Sequence, residues 1–261
     1  MTGCPIETKG LTKEVVSQFL RKRTRILDGV DIKVEQGQTF GLLGLNGAGK
    51  TTTIKLLLGL LKPTAGTATV LGKTAGSRDA LQNIGFLPEN PYFYSQLTAR
   101  ECLLFMASLF GVTGEVARER TEKLLALVKM TASANQPMNK YSKGMLQRIG
   151  IAQSLINEPQ VIFWDEPMSG LDIVGRRDVR QILHNLKEKG CTIFFNSHLL
   201  PDVSEICDTV GILHKGKLIS QEKIATISTQ GNYKDLETYF LHSIGESDVP
   251  EPEDSTKRLP R

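Results

Sequence analysis

The segment Gly44-Leu45-Asn46-Gly47-Ala48-Gly49-Lys50-Thr51 stands where a short apolar run over 39–45 gives way to the leucine-dense stretch 53–61. A strand that ends in glycines and reopens as a helix leaves the first helical N–H groups without intrahelical partners. Glycine lets the backbone curl so that those groups face a polyphosphate, while a basic side chain reaches the outer phosphates and a hydroxyl can ligate Mg²⁺. Lys50 and Thr51 occupy the last two roles, and Asn46, Gly47, Ala48, Gly49 and Thr52 complete the candidate cradle. A flexible glycine turn is the competing reading, and the strand-to-helix setting argues against it.

Sheet and helix signals surround that loop. Ile32-Lys33-Val34 alternates before the turn-like Glu35-Gln36-Gly37-Gln38, and residues 67–71 alternate after Pro63 and Gly66. The first ~80 residues therefore mix strands around the loop. Between 97 and 130 glycine is sparse, and Leu103, Met106, Phe110, Leu124, Leu127 and Val128 recur at helical spacing, which predicts a helical insertion. Strand character returns at Val161-Ile162-Phe163-Trp164 and at Thr192-Ile193-Phe194-Phe195, with a helical stretch over 175–189 between them. A strand, helix, strand unit implies a parallel sheet, so the expected fold class is α/β. Residues 246–254 hold two prolines, five acids and one aliphatic residue, and read as a disordered tail.

Composition removes several classes of function. Of 261 residues, 40% are hydrophobic and 23% charged, as in ordinary globular chains. Lysine and arginine total 32 against 28 acids, and a net +4 is too weak a field to argue for nucleic acid as a partner. Cys4, Cys102, Cys191 and Cys207 form no Cys-x-x-Cys pair and no dense disulfide framework, which fits a reducing cytosol. Residues 1–10 lack a signal-peptide layout, and no stretch approaches the ~18 apolar residues of a spanning helix. The chain is expected not to cross a membrane by itself.

The apolar strand Val161 to Trp164 ends in Asp165 and Glu166. Carboxylates at the C-terminal edge of such a strand lie beside the phosphate loop in an open α/β sheet. Asp165 is placed to hold Mg²⁺ through its water, and Glu166 to accept a proton from a water attacking the terminal phosphate. Ser142, in Tyr141-Ser142-Lys143-Gly144-Met145, is a natural N-cap for the helical pattern Leu146, Ile149, Ala152, Ile156.

The phosphate loop, Ser142-x-Gly144 followed by Gln147-Arg148, Asp165-Glu166-Pro167, Ser169-Gly170-Leu171-Asp172, and His198 after Asn196-Ser197 together resemble the ATPase subunit of ABC transporters. That resemblance implies a P-loop NTPase core with a mixed, largely parallel sheet, an antiparallel β subdomain and a helical insertion subdomain. It places the ATPase domain at 1–245, with 1–88 and 160–220 as core and β subdomain, 89–159 helical, 221–245 a C-terminal helical extension, and 246–261 the tail. It implies ATP and Mg²⁺ as ligands, with Thr51, Asp165 and Glu89 at the metal. Two subunits face head to tail in that family, so Ser142 and Gly144 are expected to act on the ATP of a second copy. Asp172 is expected at the subunit interface, and His198 against the terminal phosphate and Glu166. Phe19 is the nearest aromatic residue to stack on adenine, although the basic run Arg21-Lys22-Arg23-Thr24-Arg25 blurs the register. That run is read as a solvated loop, and His184, His214 and His242 as ordinary surface or core residues.

Glu89 stands where many relatives carry glutamine, and adds negative charge beside a phosphate. Tyr141, Lys143 and Met145 replace the commoner leucine, glycine and glutamine. These departures, with Leu236-Glu237-Thr238-Tyr239-Phe240, resemble the type-two exporter group. The resemblance implies a motor subunit on the inner face of the cell membrane, driving separate polytopic membrane subunits. Pro91, Tyr92, Phe93 and Tyr94 are expected to line the groove that receives a helix of that partner, or else to pack into the helical lobe. A soluble ABC ATPase with a non-transport role is the alternative. A P-loop kinase or non-hydrolysing module is disfavoured by Glu166, His198 and Ser142-x-Gly144.

Overall fold

The computed structural model describes residues 4–16, 23–230 and 233–246. Strands β1 (Ile6–Val16), β2 (Arg23–Val30), β3 (Lys33–Val34) and β4 (Thr39–Leu43) precede helix α1 (Lys50–Leu57). Next come β5 (Ala65–Val70), β6 (Lys73–Thr74), α2 (Arg78–Leu81), β7 (Ile84–Leu87) and three helices, α3 (Ala99–Leu109), α4 (Gly114–Leu127) and α5 (Lys143–Ser154). The chain returns through β8 (Val161–Asp165), α6 (Ile173–Glu188), β9 (Thr192–Asn196), α7 (Leu200–Ile206), β10 (Thr209–His214) and β11 (Lys217–Lys223). It ends in α8 (Ile224–Gln230) and α9 (Leu236–Ser243).

The central sheet runs β11-β10-β4-β9-β8-β7, parallel throughout except for β11 against β10. Strands β4, β8 and β9 are buried at every residue, as parallel strands covered on both faces must be. Their side chains alternate between two cores. Phe40, Phe163 and Phe194 join Leu27, Val70 and Ile54 of α1 beneath the second sheet. Ile162, Trp164, Ile193 and Phe195 face Leu103, Leu125, Ile149 and Leu183 of the helices. The second sheet is antiparallel, ordered β2-β1-β5-β6 with β3 also on β1. Five strands thus deliver their C-terminal ends to one edge, and the loops leaving β4, β8 and β9 carry the predicted chemistry.

Two expectations need correction. Arg23, Thr24 and Arg25 are not loop but the start of β2, paired with Val16, Val15 and Glu14. Arg25 donates to Glu14 at 3.0 Å and to Asp28 at 2.8 Å, which anchors a basic side chain on an exposed edge. The C-terminal helices begin at Ile224 rather than 221, because Gln221, Glu222 and Lys223 stay paired with Gly211, Val210 and Thr209. The helical insertion expected over 97–130 consists of two helices, α3 and α4, separated at Gly111, whose φ of 76° ends α3. Phe19, Arg21, Lys22 and the tail beyond Glu246 lie outside the described residues.

Candidate active site

Close backbone approach dictates the phosphate loop. A Cβ on Gly44 would stand 2.4 Å from the Leu213 carbonyl oxygen, and one on Gly49, at φ 113°, 2.6 Å from Leu27 Cδ2. Only glycine fits both. Gly49 caps α1, whose first turn carries no acid, so the helix itself does not offset its positive end. Lys50 is buried and its Nζ donates to the Gly44 carbonyl at 2.7 Å. Burial pushes its ammonium below the usual lysine range, while the carboxylates of Glu166, Asp165 and Glu89 pull in the opposite direction. Three negative charges therefore surround the one buried cation of the loop.

The ends of β8 and β9 bring the acids to that cation. Asp165 is buried at the end of β8, and Asn196 Nδ2 of β9 donates to its Oδ1 at 2.9 Å. Glu166 follows with φ 52°, an uncommon backbone for a residue with a side chain. The Glu166 N–H donates to the Asn196 carbonyl at 3.1 Å, and its own carbonyl accepts from the Ser169 N–H at 3.0 Å. That left-handed step turns the carboxylate sideways, so that Oε2 lies 2.8 Å from His198 Nδ1. Strain of this kind persists where surrounding bonds over-determine it, and it clusters at active sites.

Asn46, Gly47, Ala48, Gly49, Lys50, Thr51, Thr52, Glu89, Asp165, Glu166 and His198 line one cleft of about 500 Å³, so these eleven predicted residues meet in space. Ile26 and Ser169 line it too. Ile26 carried no signal in the sequence, since an isoleucine on an ordinary strand has no motif. Ser142 and Gly144 do not line the cleft. Ser142 caps α5, its Oγ accepting from the Met145 N–H at 3.2 Å, and the cap is exposed. The unusual residues around it have structural partners: Tyr141 donates its hydroxyl to the Ser133 carbonyl at 2.6 Å, and Lys143 Nζ donates to Ser169 Oγ at 3.4 Å. Asp172 caps α6 through the Gly175 N–H at 2.7 Å.

Among the described residues no cluster of three or more His, Cys, Asp or Glu could hold a metal unaided. Mg²⁺ does not need one, because it keeps several waters and binds through one or two carboxylates plus substrate phosphates. The all-oxygen set of the Thr51 hydroxyl, Asp165 and Glu89 along the cleft fits that use. Among the described residues no helix is long and apolar enough to cross a membrane.

The family profile described as ABC transporter matches residues 27–169. An uncharacterised ABC transporter ATP-binding protein of Synechocystis sp. is 47% identical over 228 residues, which is 85% of this chain and 64% of that protein. The chain therefore spans less than two thirds of that relative. The bacitracin transport ATP-binding protein of Bacillus licheniformis is 41% identical over 219 residues, covering 83% of this chain and 69% of the relative. Among solved structures, an ATP-binding subunit of an ABC transporter superposes with a TM-score of 0.82 at 28% identity, over 91% of this chain and 98% of the other. A dimeric ATP-binding cassette in a post-hydrolysis state, bound to ADP and Pi, gives 0.77 at 25% identity, over 84% and 98%.

Proposed function

Since the chain belongs to the ABC transporter family of ATP-binding proteins, we propose that it binds and hydrolyses ATP in the cleft and couples hydrolysis to separate membrane subunits. The observation that carries this reading is the Glu166–His198 pair, 2.8 Å apart and in one cleft with Lys50. Lys50 and the N–H groups of residues 46–51 bind the phosphates of ATP. Glu166 takes the proton of the attacking water, and His198 orients the carboxylate and meets the terminal phosphate. Thr51 and Asp165, with Glu89 nearby, would hold Mg²⁺, which when bound would supply positive charge against the outer phosphates. Ile26, which lines the same cleft, offers an apolar contact for the base where Phe19 had been expected.

The exposed α5 cap leaves Ser142 and Gly144 free to meet the nucleotide of a second copy, which supports a head-to-tail dimer like the dimeric cassette similar to this chain. The domain boundaries in this reading are those given by the sequence, with the C-terminal extension starting at Ile224.

The membrane partner would dock on an apolar cleft of about 1060 Å³ between α3 and the segment from α1 to β7, with Leu60, Leu81, Leu109 and Phe110 exposed along it. An exposed apolar patch of this kind marks an interaction site. Residues 91–94 do not line this cleft. Phe93 packs on the helical core, whereas Tyr92 and Tyr94 are 95% and 69% exposed and form a flank for the same partner. Relatives named for bacitracin transport and linearmycin resistance support an exporter working at the inner face of the membrane.

Leu109→Glu should leave phosphate release by the isolated chain within about twofold of wild type, since the substitution lies outside the nucleotide cleft. It should abolish co-purification with a membrane protein encoded beside this chain. Hydrolysis with no membrane partner, and no effect of Leu109→Glu in cells, would favour a soluble non-transport ATPase.

A further inference from the structure

Gln147 lies on α5 five residues after the Ser142 cap and is 1% exposed. Its Nε2 donates to the Pro167 carbonyl at 3.0 Å and to the Glu166 carbonyl at 3.4 Å. Its Oε1 is buried and, among the described residues, has no hydrogen-bond partner. A buried amide with one end unsatisfied is a poor device for stability alone, because an apolar residue of the same shape would avoid the desolvation cost. The end that is satisfied grips the peptide links just after β8, where the chain takes its left-handed step at φ 52°. The other bonds that fix this step come from Asn196 of β9 and from Ser169 downstream. Among the described residues, the direct hydrogen bonds from α5 to this step are those of Gln147.

We propose that Gln147 is a positioning residue for the ATPase reaction: it holds the Glu166 backbone so that the carboxylate faces the attacking water, and it connects the α5 cap to that carboxylate. The inference rests on Glu166 being the proton acceptor. It adds a physical route between the two nucleotides of a head-to-tail dimer. A partner's ATP that shifts α5 through Ser142 would reach this subunit's own Glu166 through a single side-chain amide.

A double-mutant cycle tests it. Gln147→Met keeps length and removes the donor. In the wild-type background it should lower kcat about tenfold, the rate equivalent of ~1.4 kcal/mol, and leave KM for ATP within twofold. In the Glu166→Gln background it should change the residual rate by less than twofold, because a misplaced base no longer matters. The same fold loss in both backgrounds, or no loss in the wild type, overturns the proposal. If Gln147→Met melts well below the wild type, Gln147→Leu is carried through the same cycle and judged by the same two outcomes. Unchanged turnover in Glu166→Gln alone would instead overturn the base assignment, so the two failures are distinguishable.

Discussion

Glu166→Gln separates chemistry from architecture at this site. None of the bonds that hold the left-handed backbone of Glu166 uses its side chain: they run through its N–H to Asn196, and through its carbonyl to Ser169 and Gln147. A glutamine therefore inherits the same backbone, and its amide oxygen can still accept from His198 Nδ1, now 2.8 Å from Oε2. The most the fold can lose is that one bond, about 1 kcal/mol, which for a domain of this size moves the melting temperature by ~2–4 °C. What disappears entirely is proton acceptance. General-base catalysis contributes roughly 10²–10⁴ in rate, a barrier change of ~3–5 kcal/mol. Turnover should fall by that factor while nucleotide affinity, measured by equilibrium titration, stays within about threefold. With MgATP the variant should elute as a dimer on size exclusion. A variant that melts normally, hydrolyses at the wild-type rate and remains a monomer with MgATP would show that Glu166 is not the base.

Lys50→Ala removes the cation that now rests on the Gly44 carbonyl, and with it little packing, so the fold should persist while ATP binding or hydrolysis is lost. Unchanged affinity and turnover in the folded variant would remove the phosphate-loop assignment. Asp178 accepts from Lys129 Nζ at 2.7 Å, and that bond, opposed by burial and joined by Arg148 at 3.2 Å, holds its carboxyl below the usual aspartate range. A depressed carboxylate stabilises the fold above its unfolded pKa of about 3.9 and loses that contribution as pH falls through the lower folded value. Asp178→Asn should thus melt earlier than wild type at pH 7, with the gap closing below pH ~4; a gap independent of pH would refute the linkage.

Contiguous pieces of this molecule were legible because their physics is local. Residues 44–51 are legible as a cradle because glycine freedom and unpaired helix N–H groups are properties of the segment itself. The same holds for the buried strands and for the Ser142 and Asp172 caps, whose partners lie three residues away. Arg23 to Arg25 misled the reading because a basic run looks solvated until a cross-strand partner is known, and Glu14 became one only through β pairing.

Sequence alone determined which chemistry the chain can perform: a phosphate cradle, a cation, two acids after a buried strand and a histidine after another. Tertiary structure decided how those groups meet. Glu166 and His198 are 32 residues apart and touch only because β8 and β9 are neighbours in register, Asp165 opposite Asn196. Ile26 enters the cleft by the packing of the antiparallel sheet on α1, and Gln147 reaches Glu166 across the boundary between helices and sheet. Such contacts depend on strand order and on which face of a helix turns inward, and neither is encoded within any short stretch of residues.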